Sequence, residues 1–479
     1  MNKHLVSLVA ISTLLLMAAA HTGHAQPTEA EFYDVYIYAA REDIKVLKML
    51  GMSIEGAGPY GVRAYASAEA IAELERLGYV YYVLPKLKRP AFYPTLAEAL
   101  DIIQSYQTTY GDIMRVTQIG TSAIYAVKIS DNPDIEENEP EVLFECNIHG
   151  DEGITLLNCL NFIEYLGDNY GSDDTVTALV DGHEILVVPL LNPSGYASDT
   201  RYNGHGVDLN RNFGFWWDGW IEYAAGPSPL SEPESQAMTM FVLQNNPALA
   251  MAYHSGAECV DYPFDSHYQR SPDESNFNFL GNAYASATGY ITWIINGWDW
   301  YSVHGITTEQ YYGSCGTLAE VTEISWSKQP SSEDSVNSYI SANLPAMIDW
   351  VAKSDWGVHG TIIDHSGNPV EAMIVIQELD WPAYSDPIVG DYHRFLLAGN
   401  YNLWVWANGY QPQTIPITIS KDGKATYQDI MLEPSGEGRT YAFRVIVAYQ
   451  PLPYEQTGLS YPTWALGPPD GKSASLGKA

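Results

Sequence analysis

The sequence predicts an α/β protein with a mixed central sheet and helices on both faces, preceded by a small α+β unit and followed by a β-sandwich. Three observations carry this. The mostly apolar and small runs at 142–148 and 184–191 read as strands covered on both faces. Strand-like and helix-like stretches alternate through the middle of the chain, the pattern of a mostly parallel or mixed sheet. Beyond residue 357 the pattern becomes short alternating segments split by turn signals such as Asn408-Gly409 and Asp422-Gly423, the pattern of a sandwich.

Taken in order, residues 1–25 form a secretory signal: a short basic start (Lys3, His4), an apolar stretch over 5–20 and a small-residue end before Gln26. It is too short for a membrane span, and no later stretch reaches that length. Residues 26–90 read as the α+β unit, with strands at 33–39, 61–66 and 79–84 and helices at 41–49 and 68–77. Its end, Lys86 to Pro90, is proline-punctuated and reads as an exposed linker. The larger body, 91–353, has helices expected at 96–110, 154–166, 232–244 and 335–351. Its strands are expected at 115–119, 124–129, 142–148, 184–191, 249–253, 290–295 and 318–324. The sandwich covers 356–434, with strands at 358–363, 372–378, 402–407 and 415–419, and residues 436–479 read as an incomplete β-rich module opening with a strand at 442–448.

Composition narrows the function. The 479 residues are 46% hydrophobic, ample for buried cores. A net charge of -35, from 58 acidic and 23 basic residues, argues against nucleic acid or anionic membrane as partner. The four cysteines, Cys146, Cys159, Cys259 and Cys315, fit one or two bridges in an oxidising compartment or buried free thiols equally well, and their pairing stays open.

The chemistry begins where the 142–148 strand runs into His149-Gly150-Asp151-Glu152. Ligands gather past the carboxyl ends of strands in open α/β sheets, and an imidazole and a carboxylate three residues apart can face one zinc ion. A third ligand, His254, stands at the end of the 249–253 strand. Between them lies Arg201-Tyr202-Asn203-Gly204-His205-Gly206-Val207-Asp208-Leu209-Asn210-Arg211-Asn212-Phe213, and Tyr301 and Glu323 follow. Over about 93–351 these motifs, in this order, resemble the zinc metallocarboxypeptidases of the M14 family.

The resemblance implies a catalytic domain at 91–353 holding one zinc ion through His149, Glu152 and His254. It makes Glu323 the general base and Arg201 the stabiliser of the oxyanion; Glu323 is preferred to Glu320 for its spacing from Tyr301. Asn210, Arg211 and Tyr301 match the group that holds a substrate's terminal carboxylate, Thr308 the floor of the side-chain pocket, and Asp208 the acid that orients a zinc-bound histidine. The short segment after Gly120-Thr121-Ser122 lacks the basic residue of many members. His183, His205, His267 and His304 belong to no such pattern and read as structural or surface residues.

The implied activity is that of a secreted carboxypeptidase acting on peptide or protein C-termini, with 26–90 as a propeptide-like candidate inhibitor and 356–434 as a transthyretin-like domain. Rival readings on the same scaffold are a peptidoglycan-peptide hydrolase and an aspartoacylase-like zinc amidohydrolase. A non-catalytic adhesive or binding protein is the rival from another class, against which the retained Glu323 argues.

Overall fold

The computed structural model describes residues 32–435, apart from 59, 87 and 422. The N-terminal unit contains β1 (Phe32–Ile37), α1 (Ile44–Met49), β2 (Ser53–Gly58), β3 (Gly61–Ser67), α2 (Ala68–Leu77) and β4 (Tyr81–Val83). Its sheet has the order β2-β3-β1-β4, and Val35, Ile37, Val62 and Ala64 meet Leu47 and Leu74 of the two helices in one small core. Ser67 caps α2 through Ala70 N, and Gly78 at φ 82° ends it. The strand β2 was missed because Ser53-Ile-Glu-Gly-Ala-Gly58 has too few β-formers; it is recruited by pairing with β3.

The body continues with α3 (Leu96–Thr109), β5 (Met114–Ile119), β6 (Ile124–Ile129), β7 (Glu141–Cys146), α4 (Gly153–Asn169), α5 (Asp174–Val180), β8 (Glu184–Val188), α6 (Pro193–Ser198) and α7 (Pro233–Asn245). It is completed by β9 (Leu249–His254), β10 (Ala257–Tyr262), α8 (Glu274–Thr288), β11 (Ile294–Asn296), α9 (Gly297–Trp300), α10 (Thr307–Cys315), β12 (Leu318–Ser325) and α11 (Glu333–Lys353). The eight strands form one sheet in the order β11-β10-β12-β9-β7-β8-β6-β5, with β12, β9, β7 and β8 parallel.

Those four strands are buried along their whole length; apolar residues dominate β8 and β9, while β7 and β12 also bury acids, Glu141, Glu145, Glu320 and Glu323. Period two still sorts their side chains. Val142, Phe144, Ile185 and Met251 face one core, and Leu143, Leu186, Val188 and Ala250 the other. Cys146, the last residue of β7, is bridged to Cys159 in α4, and Cys259 and Cys315 are buried thiols. The strand expected at 290–295 is only the three residues of β11, since α8 runs to Thr288 before it. The helices α5, α8 and α10 and the strand β10 were not foreseen, because polar and small residues interrupt their apolar faces.

Past α11, β13 (Gly357–Asp364), β14 (Met373–Ile376), β15 (Trp381–Tyr384), β16 (Asp391–Arg394), β17 (Gly399–Trp406), β18 (Gln413–Ile419), β19 (Ala425–Tyr427) and β20 (Ile430–Leu432) form two small sheets around one core. One sheet has the order β16-β13-β19, with β20 also pairing β13; the other runs β15-β14-β17-β18. This sandwich docks on the body: Trp381 stacks on Tyr312 at 4.6 Å and donates to its carbonyl at 2.9 Å, and Arg394 pairs with Asp273 at 2.6 Å. The export signal and the module expected over 436–479 lie outside the described residues.

Candidate active site

The turn after β7 delivers two of the three residues that could hold a metal ion. Asn147 is left-handed at φ 56°, a conformation asparagine tolerates better than most residues, and its amide donates to Thr155 Oγ1 at 3.0 Å. Gly150 lies so close to Gly195 that a Cβ would sit 2.0 Å from its backbone. His149 is thereby aimed back across the end of the sheet, toward Glu152 at the start of α4. His254, the last residue of the neighbouring β9, reaches the same point.

The three side chains are buried, and one ligand atom from each falls within 4.8 Å of the other two. His149 Nδ1 is 2.8 Å from Glu152 Oε1, His254 Nδ1 is 3.2 Å from Glu152 Oε2, and the two Nδ1 atoms are 3.1 Å apart. The outer nitrogens face partners instead: His149 Nε2 lies 3.3 Å from Asp208 Oδ1 and His254 Nε2 3.3 Å from Asn210 Nδ2. Two imidazoles and a carboxylate aimed at one point, each backed by a polar neighbour, are a donor set that fits zinc. Burial works against the Glu152 charge, yet His149, Lys328 and His254 outweigh it and hold its carboxyl well below the usual range.

The segment from 201 to 213 wraps this centre. Arg201 donates through Nε to Asp208 Oδ2 at 2.7 Å, and its Nη1 lies 3.2 Å from His149 Nδ1. Asp208 caps a 3₁₀ turn, Leu209–Arg211, through Asn210 N, so one carboxylate orders the turn, Arg201 and His149 together. Asn210 Oδ1 accepts from Thr307 N, and Arg211 lies 3.6 Å from Glu222, which His304 holds at 2.8 Å. His304 is thus a buried structural support.

Glu323 lines the same cleft and accepts from Ala257 N at 3.3 Å. Burial, then the nearby Glu152, raise its carboxyl to about 7, the range suited to a proton carrier. Glu320, three residues earlier on β12, is buried outside this cleft beside Gly281. Arg211 and Tyr301 also line the cleft.

Thr308 does not line it. The first turn of α10 carries that residue away, while Ile306, just before the helix, faces the cleft. Two unforeseen acids line it instead, Asp261 and Asp265, 5% and 4% exposed. Burial, and for Asp265 the neighbouring Asp261, push both carboxyls well above the usual range. Glu309, beside Thr308, is turned to the backbone: it accepts from Asp265 N at 2.8 Å and Ser266 N at 2.9 Å and fixes the loop that carries Asp265.

The other residues missed from sequence are Glu55 and Lys328. Glu55, on β2 of the N-terminal unit, enters the cleft, where its carboxylate is bound by Arg201 and Lys328. The adjoining backbone is gripped as well: Arg211 Nη2 donates to Ile54 O at 3.0 Å and Tyr301 Oη to Glu55 O at 3.3 Å. Burial opposes the Glu55 charge, but Arg201 and Lys328 prevail and bring its carboxyl down to about 2. Lys328 also sits 3.2 Å from Asp151 and 3.4 Å from Glu152. A lone lysine in a loop and a glutamate in a glycine-rich strand carry no motif. The linker expected to be exposed is pinned at Arg89, which stacks over the Tyr196 ring at 3.8 Å and donates to Gly150 O and Tyr196 O.

Fold and site together define an α/β protein with a buried two-histidine, one-carboxylate metal centre at the carboxyl ends of its central strands. Residues 99–351, just over half of the 479, match the zinc carboxypeptidase family, peptidase M14, and the chain belongs to that family. It is 29% identical over 361 residues to carboxypeptidase D of Anas platyrhynchos, covering 67% of this chain and 25% of that protein, so it spans about a quarter of that relative's length. It is 28% identical over 381 residues to the carboxypeptidase N catalytic chain of Mus musculus, 68% of this chain and 82% of the relative. The crystal structure of carboxypeptidase A from Helicoverpa armigera shares the fold, with a TM-score of 0.56, 17% identity, and coverage of 68% of this chain and 97% of that one.

Proposed function

We propose that the protein is an exported zinc carboxypeptidase that removes C-terminal lysine or arginine from peptides and proteins, and that its N-terminal unit holds it latent. One observation carries the reading: Arg211, Tyr301 and Arg201, all lining the metal cleft, already grip a peptide segment and its carboxylate, those of Ile54 and Glu55. A substrate's C-terminal end presents the same groups, a carboxylate and backbone carbonyls.

His149, Glu152 and His254 would hold the zinc, which supplies Lewis acidity for the scissile carbonyl and the attacking water. Glu323 takes the proton of that water and returns it to the leaving amine. Arg201 meets the negative charge developing on the carbonyl oxygen, a role worth about 3 kcal/mol per donor in such sites. Arg211, with Asn210 and Tyr301, binds the free terminal carboxylate, which an internal peptide bond lacks. Asp208 keeps His149 and Arg201 oriented.

Asp261 and Asp265 support the basic preference: two buried carboxyls in the wall of the cleft favour a cationic side chain, whose charge lets them ionise. The Cys146–Cys159 bridge accords with an oxidising, extracytoplasmic location, as does the basic and apolar start of the chain. Among the described residues no helix is long and apolar enough to cross a membrane.

The N-terminal unit would inhibit because its groups satisfy the partners that substrate needs. Glu55 neutralises Arg201 and Lys328, and Lys48 of α1 takes Glu222 Oε1 at 2.5 Å behind Arg211. The test of the clamp is Arg211→Ala assayed, after removal of residues 26–85, on free-acid peptides and their C-terminal amides. A loss confined to the free acids supports it, and equal losses reject it.

A further inference from the structure

A second cluster of carboxylates lies on the opposite side of the body, where the loop between β6 and β7 meets the sandwich. The loop runs Asp131-Asn132-Pro133-Asp134-Ile135-Glu136-Glu137-Asn138-Glu139-Pro140 into Glu141, the first residue of β7. Asp131, Glu137 and Glu139 each bring a carboxylate oxygen within 4.8 Å of the other two, and so do Glu136, Glu141 and Glu184. Glu184 is the first residue of β8, paired in register with Glu141, so the sheet itself sets these two acids side by side.

The second group is deeply buried. Glu141 is 3% exposed, and its Oε1 has no hydrogen-bond partner. From the sandwich come Asp386 and Asp391, also buried, each with one unpartnered carboxylate oxygen. Asp391 is the strongest charge acting on Glu141, and Asp386 acts on Glu136. Among the described residues, Lys128 lies 3.3 Å from Glu136 and 2.5 Å from Glu184, and His393 Nε2 lies 2.7 Å from Asp391 Oδ2. One ammonium group does not balance so many acids. Burial, followed by the neighbouring acids, pushes Glu139 up to about 8, and burial, then Asp386, does the same for Asp391.

We propose that this junction binds calcium, and that the bound ion fastens the sandwich to the body. All the donors are carboxylate oxygens, the ligand type of hard divalent cations. Calcium takes six to eight of them at about 2.3–2.6 Å, which places oxygens across the ion up to about 5 Å apart. The spacing within both triads fits that span. Loop acids, strand acids and sandwich acids could each contribute, so the ion would replace mutual repulsion at the junction by shared attraction.

The test uses the full chain loaded with zinc and freed of calcium by exchange, and it involves no turnover, so it stands apart from the peptidase reading. Calcium chloride is titrated in by calorimetry, unfolding is followed by heating, and proteolysis of the 353–357 junction is timed. Saturable binding below about 1 mM calcium is expected, with unfolding raised by about 5 °C and slower cleavage at the junction. Glu141→Gln and Asp391→Asn should each weaken binding about tenfold or more, and magnesium at equal concentration should not substitute. If Glu141→Gln fails to fold, Asp391→Asn alone carries the test. Absence of saturable binding, undiminished binding in Asp391→Asn, or an equal effect of magnesium overturns the proposal.

Discussion

The Glu55 carboxylate and the Arg201 guanidinium form a buried ion pair inside the metal cleft, with side chains 6% and 3% exposed. One partner belongs to the N-terminal unit and the other to the body, so the pair exists only while the unit is docked. Lys328 closes on the same carboxylate from the body. Breaking one side of a buried pair of this kind costs about 3–5 kcal/mol.

Glu55→Ala should therefore loosen the unit and raise the activity of the intact chain. A change of about 3 kcal/mol corresponds to a shift of roughly a hundredfold in the closed-to-open ratio. Initial rates on an arginine-ending peptide, compared with those of the chain lacking residues 26–85, measure it. If the intact chain and the shortened chain have equal rates already, the unit is not inhibitory.

Glu323→Gln keeps the shape of the side chain and removes its proton affinity. Turnover should fall by about 10²–10⁴ while zinc content, read by elemental analysis, stays at one per chain. Unchanged turnover would remove Glu323 as the base.

Asp265→Asn should lower kcat/KM for lysine- and arginine-ending peptides by about 10–100-fold relative to leucine- or phenylalanine-ending ones, the effect expected for a buried charge partner. A parallel loss on both classes would mean that Asp265 only supports the fold.

The stability of the body should decline in acid through His267. This imidazole is buried, stacked on Phe264 at 4.6 Å, and burial, then His304, lower its pKa to about 3. The folded state excludes a proton that the unfolded chain takes up below about 6.5, so the stability is full above that pH and is lost as pH falls from there toward 3. At pH 4.5 the loss is about 2–3 kcal/mol. Denaturant midpoints between pH 7 and 4.5 should show it, and His267→Phe should flatten the slope.

These cases show what the sequence could carry. His149, Glu152 and His254 were legible because strand ends and residue spacing bring ligands together locally, and the buried strands announce themselves by mostly apolar runs. Thr308 stands outside the cleft lining because its direction depends on where α10 begins, a matter of one residue. Asp261 and Asp265 were invisible as pocket acids because β10 was not foreseen, and only that strand and its following loop bring them to the cleft. Glu55 and Lys328 meet across 273 positions of chain, a contact that tertiary packing alone creates.

The most direct measurement is mass spectrometry of a mixed peptide library digested by the chain freed of residues 26–85, with chelator, and with zinc restored. Single C-terminal residues should be lost, lysine and arginine first, from free acids and not from amides, with the loss abolished by chelation and recovered with zinc. Cleavage within peptides, or cleavage indifferent to metal, would contradict it.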